Sequence, residues 1–257
     1  MTYETLIYEK SGNVSIIAIN RQAANNAVNA QLAHELADIC TDINRDSETK
    51  AVIITGRGKK SFCTGIEFSE FSSPASMDPR ARLLSVADPV ARLASPVLAA
   101  INGDALGQGL ELALACDLRV AAQTARFALP HVACGVIPWD GGTQRLPRIV
   151  GRGKAMEMIL TGESLDAIEA YRIGLVGKVV PQRELDRTAR DMAQTIASKA
   201  SLALKYAKEA IKNGLDLTLE QGLRLEADLY FLLQTTEDRT EGIRAFLEKR
   251  PPQFKGK

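Results

Sequence analysis

Several features that define other classes of protein are missing from this chain of 257 residues. No run of about 18 apolar residues is uninterrupted, so no membrane-spanning helix is predicted. The 32 Lys and Arg residues nearly balance the 31 Asp and Glu residues, and the net charge of +1 gives no reason to expect binding to nucleic acid or an anionic membrane. An anionic ligand would therefore need a local binding site.

Cysteine is scarce, and the start of the chain lacks a secretion signal. The four cysteines form no CxxC pair and have no histidine cluster nearby, so we predict no metal site and expect buried free thiols; they are Cys40, Cys63, Cys116 and Cys134. Residues 1–6 are acidic and mixed, whereas a signal peptide has a basic stretch followed by an apolar one. We predict a cytoplasmic protein.

Three common catalytic or nucleotide-binding motifs are also absent. Only Gly107 and Gly109 fit GxGxxG, because Leu112 stands at the third glycine, and no GxxxxGK[ST] sequence occurs. A serine hydrolase is disfavoured because GxSxG is missing and neither of the two histidines has an evident partner serine. A nucleotide site and serine nucleophile chemistry are both poorly supported.

The hydrophobic pattern of the first two-thirds of the chain predicts an α/β domain. Residues 14–19 and 51–55 are β-branched runs typical of buried strands, and apolar residues at helical spacing lie between them. The same reasoning predicts a strand over 96–101, a helix over 110–116, and weaker strands over 119–122 and 125–128. We assign residues 1–200 to this core.

Residues 201–257 are predicted to form a separate helical region. Segments 201–213, 218–234 and 237–249 are helix-like, and the middle one carries an apolar stripe that must pack on this chain or on a neighbouring subunit. Residues 69–90 are rich in Ser, Pro and Asp, which predicts a mobile surface segment that helps to shape a pocket.

The most informative stretch is 101–117, where a strand leads into spaced glycines and then into an apolar helix. Glu111 lies in the first turn of that helix, between Leu110 and Leu112. Glycines let a backbone approach a ligand closely, and free N–H groups at a helix start attract developing negative charge. The stretch therefore predicts half of an oxyanion hole. Tight helix–strand packing and a simple helix-dipole carboxylate are the alternative explanations.

A second glycine loop, 55–67, contains Gly-x-Gly followed by Phe-Cys-Thr-Gly-Ile-Glu. It resembles the first oxyanion loop of the enoyl-CoA hydratase/isomerase (crotonase) family. The resemblance continues in order along nearly the whole chain, through the segments 20–27, 105–111, 141–147, 161–163, 170–176 and 246–250. It implies a spiral of ββα units with a C-terminal helical trimerisation region, self-association to a trimer or hexamer, and an acyl-CoA thioester ligand with no further cofactor.

The resemblance also implies the oxyanion donors. They are the backbone N–H groups of Ile66 and Gln108, with Gly65, Gly107 and Gly109 beside the substrate. The family usually has glycine at the position of Gln108. A backbone donor tolerates glutamine there when φ is negative.

Proton transfer is where this chain departs from the family pattern. The first of the two hydratase glutamates matches Glu111, but the second falls on His131. Histidine titrates near neutral pH, so acid/base chemistry is retained in principle. Asp140 is a further candidate acid or base and Trp139 a candidate wall of the acyl pocket, in a stretch where hydratases usually carry small residues. His34 lies in a predicted helix away from these motifs.

Coenzyme A contacts are implied less specifically. In the family, the chain that includes Asn26 and Ala27 lies along the adenine and pantetheine. Basic side chains would meet the phosphates, although a solvated charged loop explains them equally well; they are Arg21, Arg57, Lys59 and Lys60.

Three functions remain open from the sequence. The leading one is reversible hydration of a 2-enoyl-CoA, including cyclic or branched acyl groups, with Glu111 aided by His131 or Asp140. The second is enolate chemistry without added water: isomerisation, decarboxylation or hydrolytic carbon–carbon cleavage. The third is a non-catalytic CoA-binding or assembly protein, because Gln108 and His131 both depart from a hydratase.

Overall fold

The computed structural model describes residues 3–67 and 84–257. The elements in this part of the chain are, in order, β1 (Leu6–Ser11), β2 (Val14–Ile19), α1 (Ala30–Arg45), β3 (Ala51–Gly56), β4 (Ser61–Cys63), α2 (Ala87–Ala91), β5 (Val97–Ile101), β6 (Asp104–Leu106), α3 (Gln108–Ala115), β7 (Leu118–Ala122), β8 (Arg126–Ala128), α4 (Gly142–Val150), α5 (Arg152–Thr161), β9 (Leu165–Asp166), α6 (Ala167–Arg172), β10 (Lys178–Val180), α7 (Leu185–Ala197), α8 (Ser201–Gly214), α9 (Leu219–Leu233) and α10 (Glu237–Leu247). The predicted α/β class is confirmed.

The strands form two sheets that the chain visits alternately. The larger has the order β1-β2-β3-β5-β7-β10 and is parallel except for β1, whereas the smaller has the order β4-β6-β8-β9 and is parallel except for β9. One strand of the large sheet, one of the small sheet and a helix recur as β3-β4-α2, β5-β6-α3 and β7-β8-α4. This repetition is the predicted spiral of ββα units.

Both faces of the larger sheet are buried at β2, β3 and β5, which explains why these strands are apolar runs that do not alternate with polar residues. In β2, Ile17 and Ile19 pack into the main core with α1, while Val14 and Ile16 face a second core with α7. The short strands β4, β6 and β8 end beside one another in the smaller sheet. The loops that follow β4 and β6 therefore meet at one edge.

The predicted C-terminal helices are confirmed as α8, α9 and α10. The apolar stripe of α9 does not pack on its own chain along its length, since Leu219 is 80% exposed and Leu223 and Tyr230 are also exposed. Trimerisation stays a prediction. None of the helices in the described part of the chain combines the length and apolar character needed to cross a membrane.

Two predictions require correction. Cys134 is exposed, whereas the other three cysteines are buried free thiols as expected. Of the predicted surface segment 69–90, residues 69–83 lie outside the described residues. Its last part is buried, not on the surface, because Val86 and Val90 of the α2 region pack into the main core.

Candidate active site

The two glycine loops meet because β4 and β6 are parallel neighbours. Gly65 adopts φ 83°, and a Cβ there would lie 2.9 Å from the Leu106 carbonyl oxygen and 3.0 Å from the Gln108 nitrogen. No larger residue fits between these backbones without displacement. Gly107, at φ 53°, turns the chain into α3 immediately beforehand.

The N–H groups of Ile66 and Gln108 are available at this junction. Among residues 3–67 and 84–257, neither nitrogen donates a hydrogen bond to a backbone or side-chain acceptor. Gln108 is the first residue of α3 and keeps a negative φ, because the positive φ falls on Gly107. Glutamine therefore presents its N–H at a helix start without strain, and two such donors can hold a thioester oxygen.

Glu111 is fully buried in the first turn of the same helix. Its Oε1 accepts hydrogen bonds from the backbone N–H groups of Asp140 at 2.8 Å and Gly142 at 2.7 Å. Its Oε2 has no hydrogen-bond partner among the described residues. Burial raises the Glu111 pKa to about 7, outweighing the two N–H donors, which lower it. Glu111 can therefore take up or release a proton near neutral pH.

His131 lies directly against this carboxyl group. Its Nε2 is 3.5 Å from Glu111 Oε2, and its ring passes beside Gly107, where a Cβ would lie 3.8 Å from Cε1. In the described part of the molecule, Nδ1 makes no hydrogen bond. Burial lowers the pKa of His131, which favours the neutral imidazole at pH 7. The two residues form a carboxyl–imidazole pair beside the backbone N–H groups of Ile66 and Gln108.

A cavity of about 980 Å³ opens over the pair. Its floor includes Gly65, Ile66, Gly107 and Gln108, and His131 forms part of its wall. The remaining described lining residues are Thr64, Ser85, Asp88, Pro130, Cys134, Val136, Trp139, Asp140, Gly141 and Arg145. Glu111 itself is not among them, but its Oε2 lies 3.5 Å from Nε2 of His131, which is.

Asp140, a predicted acid or base, lines the cavity but is only 6% exposed. Its Oδ2 accepts from the N–H groups of Val86 at 2.9 Å and Ala87 at 3.0 Å, and from Gln108 Nε2 at 3.0 Å. Its Oδ1 accepts from the Ser85 hydroxyl. The carboxylate is fully engaged with the protein.

Comparison with known proteins places this site in a family. A family model described as enoyl-CoA hydratase/isomerase matches residues 9–257. The chain belongs to this family. A probable enoyl-CoA hydratase, echA8, of Mycobacterium bovis is 42% identical over 255 residues, which cover 99% of both proteins. The crotonyl-CoA hydratase of Syntrophomonas wolfei is 41% identical over 258 residues, again covering 99% of both.

A solved structure gives the same result for the fold. The crystal structure of an enoyl-CoA hydratase from Bacillus anthracis matches with a TM-score of 0.94 and 41% identity, covering 99% of this chain and 100% of that one. The protein is thus an enzyme of the hydratase/isomerase type with the crotonase fold, as predicted.

Other residues predicted from the family pattern have packing roles in the structure. Gly109 lets α3 pack on β4, since a Cβ there would lie 1.9 Å from the Cys63 carbonyl oxygen. Asn26 is 1% exposed, and its amide donates to the carbonyls of Arg57 and Ser61. Ala27 accepts a hydrogen bond from Arg21. Contacts of Asn26 and Ala27 with coenzyme A stay a prediction. Within the described residues, no group of three His, Cys, Asp or Glu could hold a metal ion.

The basic residues proposed for the coenzyme phosphates differ in their surroundings. Arg21 is engaged in an ion pair with Glu67 at 2.7 Å, whereas Arg57, Lys59 and Lys60 are exposed. His34 is exposed on α1, away from the cavity.

Sequence reasoning expected segment 69–90 to shape the pocket, and Ser85 and Asp88 of that segment do line it, but it singled out neither of them, nor Arg145. The Gly-Gly-Thr-Gln-Arg motif of the family was the only available signal for Arg145, whose Nη1 donates to the Asp140 carbonyl at 2.8 Å. Ser85 carries no sequence signal, because its place in the site depends on a hydrogen bond to a residue 55 positions away.

The raised pKa of Glu111 predicts a pH-dependent stability difference for Glu111→Gln. Because the folded-state pKa of about 7 exceeds the ordinary 4.5, ionisation destabilises the fold. This cost is absent below about pH 4.5, grows as pH rises, and is complete above about pH 7. We expect the free energy of unfolding of Glu111→Gln to exceed that of the wild type by about 3 kcal/mol at pH 8 and to differ little from it at pH 4. Urea denaturation at both pH values measures this, and a constant difference would contradict the assigned pKa.

Proposed function

We propose that the protein catalyses the reversible hydration of a 2-enoyl-CoA. The observation that carries this proposal is the proton-transfer pair, Glu111 and His131, 3.5 Å apart beside two backbone N–H groups at the floor of the cavity that donate to no described residue. The hydratase names of relatives at 41–42% identity support it.

The chemistry follows from this arrangement. Ile66 and Gln108 would donate to the thioester carbonyl oxygen, drawing electrons from the conjugated double bond and making C3 electrophilic. Water adds its oxygen to C3 and gives one proton to the pair, while the pair returns one proton to C2 of the enolate. His131 faces the cavity, and the buried Glu111 carboxyl group balances the charge that His131 acquires.

Isomerisation of an enoyl-CoA is the second candidate. A specific feature favours it: the pair joins one carboxyl group to one imidazole, in place of two glutamates, and a single mobile proton suffices to shift a double bond by removal at one carbon and return at another. The same oxyanion donors would stabilise the dienolate. The two reactions differ only in whether water is added.

The proposal predicts that purified enzyme removes the conjugated absorbance of crotonyl-CoA with a turnover number on the order of 10 per second. A branched and a cyclic 2-enoyl-CoA extend the test to the Trp139 wall. A 3-enoyl-CoA serves as the comparison, because isomerisation would create conjugated absorbance from it. Turnover of the 3-enoyl ester alone would replace hydration with isomerisation.

We also propose self-association through the C-terminal helices, giving a trimer or two stacked trimers. Support comes from the apolar side chains that α8–α10 leave exposed in one subunit, among them Ile211, Phe231 and Phe246 at 68%, 68% and 82%. Exposed apolar side chains of this size mark a protein interface where they join into one patch. A cytoplasmic location remains a prediction.

A further inference from the structure

The Asp140 side chain connects separate parts of the cavity wall. Through Ser85, Val86 and Ala87 it holds the start of α2, which is more than 50 residues away in sequence. Through Gln108 Nε2 it holds the first residue of α3. One buried carboxylate therefore fixes two helix starts relative to each other.

The same residue also contacts both parts of the chemical machinery. Gln108, whose backbone N–H is an oxyanion donor, donates a side-chain hydrogen bond to Asp140. The same side-chain amide also donates to the Leu84 carbonyl at 2.7 Å. The Asp140 backbone N–H donates to Glu111 Oε1 at 2.8 Å. A displacement of Asp140 would therefore move an oxyanion donor and the proton-transfer carboxyl group together.

A direct acid/base role fits this geometry poorly. An ionised carboxylate offers about four lone-pair positions for hydrogen bonds. Four donors from Ser85, Val86, Ala87 and Gln108 already occupy the carboxylate of Asp140. Accepting a substrate proton would require at least one of these bonds to break.

We propose that Asp140 is a positioning residue that acts through Gln108 to fix the second oxyanion donor. The proposal rests on the proposed function, because it assigns the Gln108 N–H to a thioester oxygen. It explains why glutamine stands where the resemblance leads one to expect glycine: glycine has no side chain with which to reach Asp140. The hydrogen bond between Gln108 and Asp140 gives the second oxyanion donor a side-chain anchor that glycine cannot provide.

The test uses Gln108→Ala, Asp140→Ala and the double variant, with butyryl-CoA carrying a ¹³C-labelled carbonyl as an unreactive probe. Gln108→Ala retains the backbone N–H and the hydrogen bonds of Asp140 with residues 85–87, losing only the amide contacts to Asp140 and Leu84, so it remains informative if Asp140→Ala fails to fold. Infrared difference spectroscopy measures how far binding lowers the carbonyl frequency. The steady-state kcat and KM for the best enoyl-CoA are measured in parallel.

We expect the wild-type carbonyl shift to be at least halved in both single variants. The kcat should fall about tenfold in Gln108→Ala and about 100-fold in Asp140→Ala, with smaller changes in KM, because a misplaced donor weakens transition-state stabilisation. The double variant should resemble Asp140→Ala, since both substitutions remove the same hydrogen bond between Gln108 and Asp140.

Three results would overturn the proposal: full carbonyl shifts in both single variants, additive losses in the double variant, or loss of one limb of the pH–rate profile in Asp140→Ala with an intact carbonyl shift. The last would make Asp140 an acid or base. Because the spectrum needs no turnover, a wild-type enzyme that shifts the carbonyl but hydrates nothing would refute the proposed function alone.

Discussion

Glu111→Gln should reduce kcat for the best enoyl-CoA by about 10³-fold, the middle of the range for loss of a proton-transfer group. Glutamine is nearly the same size, and its carbonyl oxygen can still accept from the N–H groups of Asp140 and Gly142. What it loses is the ability to hold a proton near neutral pH. The loss should therefore appear in kcat.

Binding provides the matched control for that experiment. Glu111 does not line the cavity, so the affinity for butyryl-CoA, measured by calorimetry, should change by less than about threefold. A variant that binds normally and turns over at the wild-type rate would remove Glu111 from the mechanism. A variant that no longer binds would indicate a disrupted loop at 140–142 and not a lost proton carrier.

His131→Gln should lower kcat by about 10²-fold or more. The glutamine amide can fill the space beside Gly107 and face Glu111 Oε2, but it cannot take a proton from water. The substitution therefore separates proton transfer by His131 from its role in filling the wall. A change of less than threefold would show that the imidazole only packs.

His131→Glu is the informative companion to that variant. It places a second carboxyl group against Glu111 and so recreates the pair of glutamates expected from the family pattern. Two adjacent carboxyl groups share one proton because both cannot ionise easily. Hydration should therefore be at least tenfold faster in this variant than in His131→Gln. Equal rates in the two variants would contradict a shared proton as the basis of the reaction.

Elements with a strong local pattern could be predicted from the sequence. The run 14–19 is buried on both faces, and α1 shows apolar residues on one face, so both were recognised. Strand β1 was missed because only Leu6 is buried in Leu6–Ser11, and its pairing with β2 gives no local hydrophobic signal. Strand β4 has three residues within a polar loop.

In the site, too, residues that belong to a sequence pattern could be predicted, whereas contacts between distant segments could not. The family pattern indicated Glu111 and His131, and the structure brings them together. The direction of the Glu111 pKa shift could not be judged from the sequence, because burial raises this pKa whereas a helix start lowers it. The outcome depends on how completely the 140–142 loop and His131 cover the carboxyl group. The engagement of Asp140 was equally hidden, since its partners at 85–87 lie 53–55 residues away.

The most direct test of the central claim is to incubate the enzyme with crotonyl-CoA in heavy-oxygen water and analyse the thioester by mass spectrometry. If Glu111 and His131 transfer protons while water adds to C3, the product is a 3-hydroxyacyl-CoA that carries one labelled oxygen, and Glu111→Gln forms it about 10³-fold more slowly. Recovery of crotonyl-CoA with no labelled hydroxyacyl product, or of an unlabelled isomer, would contradict the assignment as a hydratase.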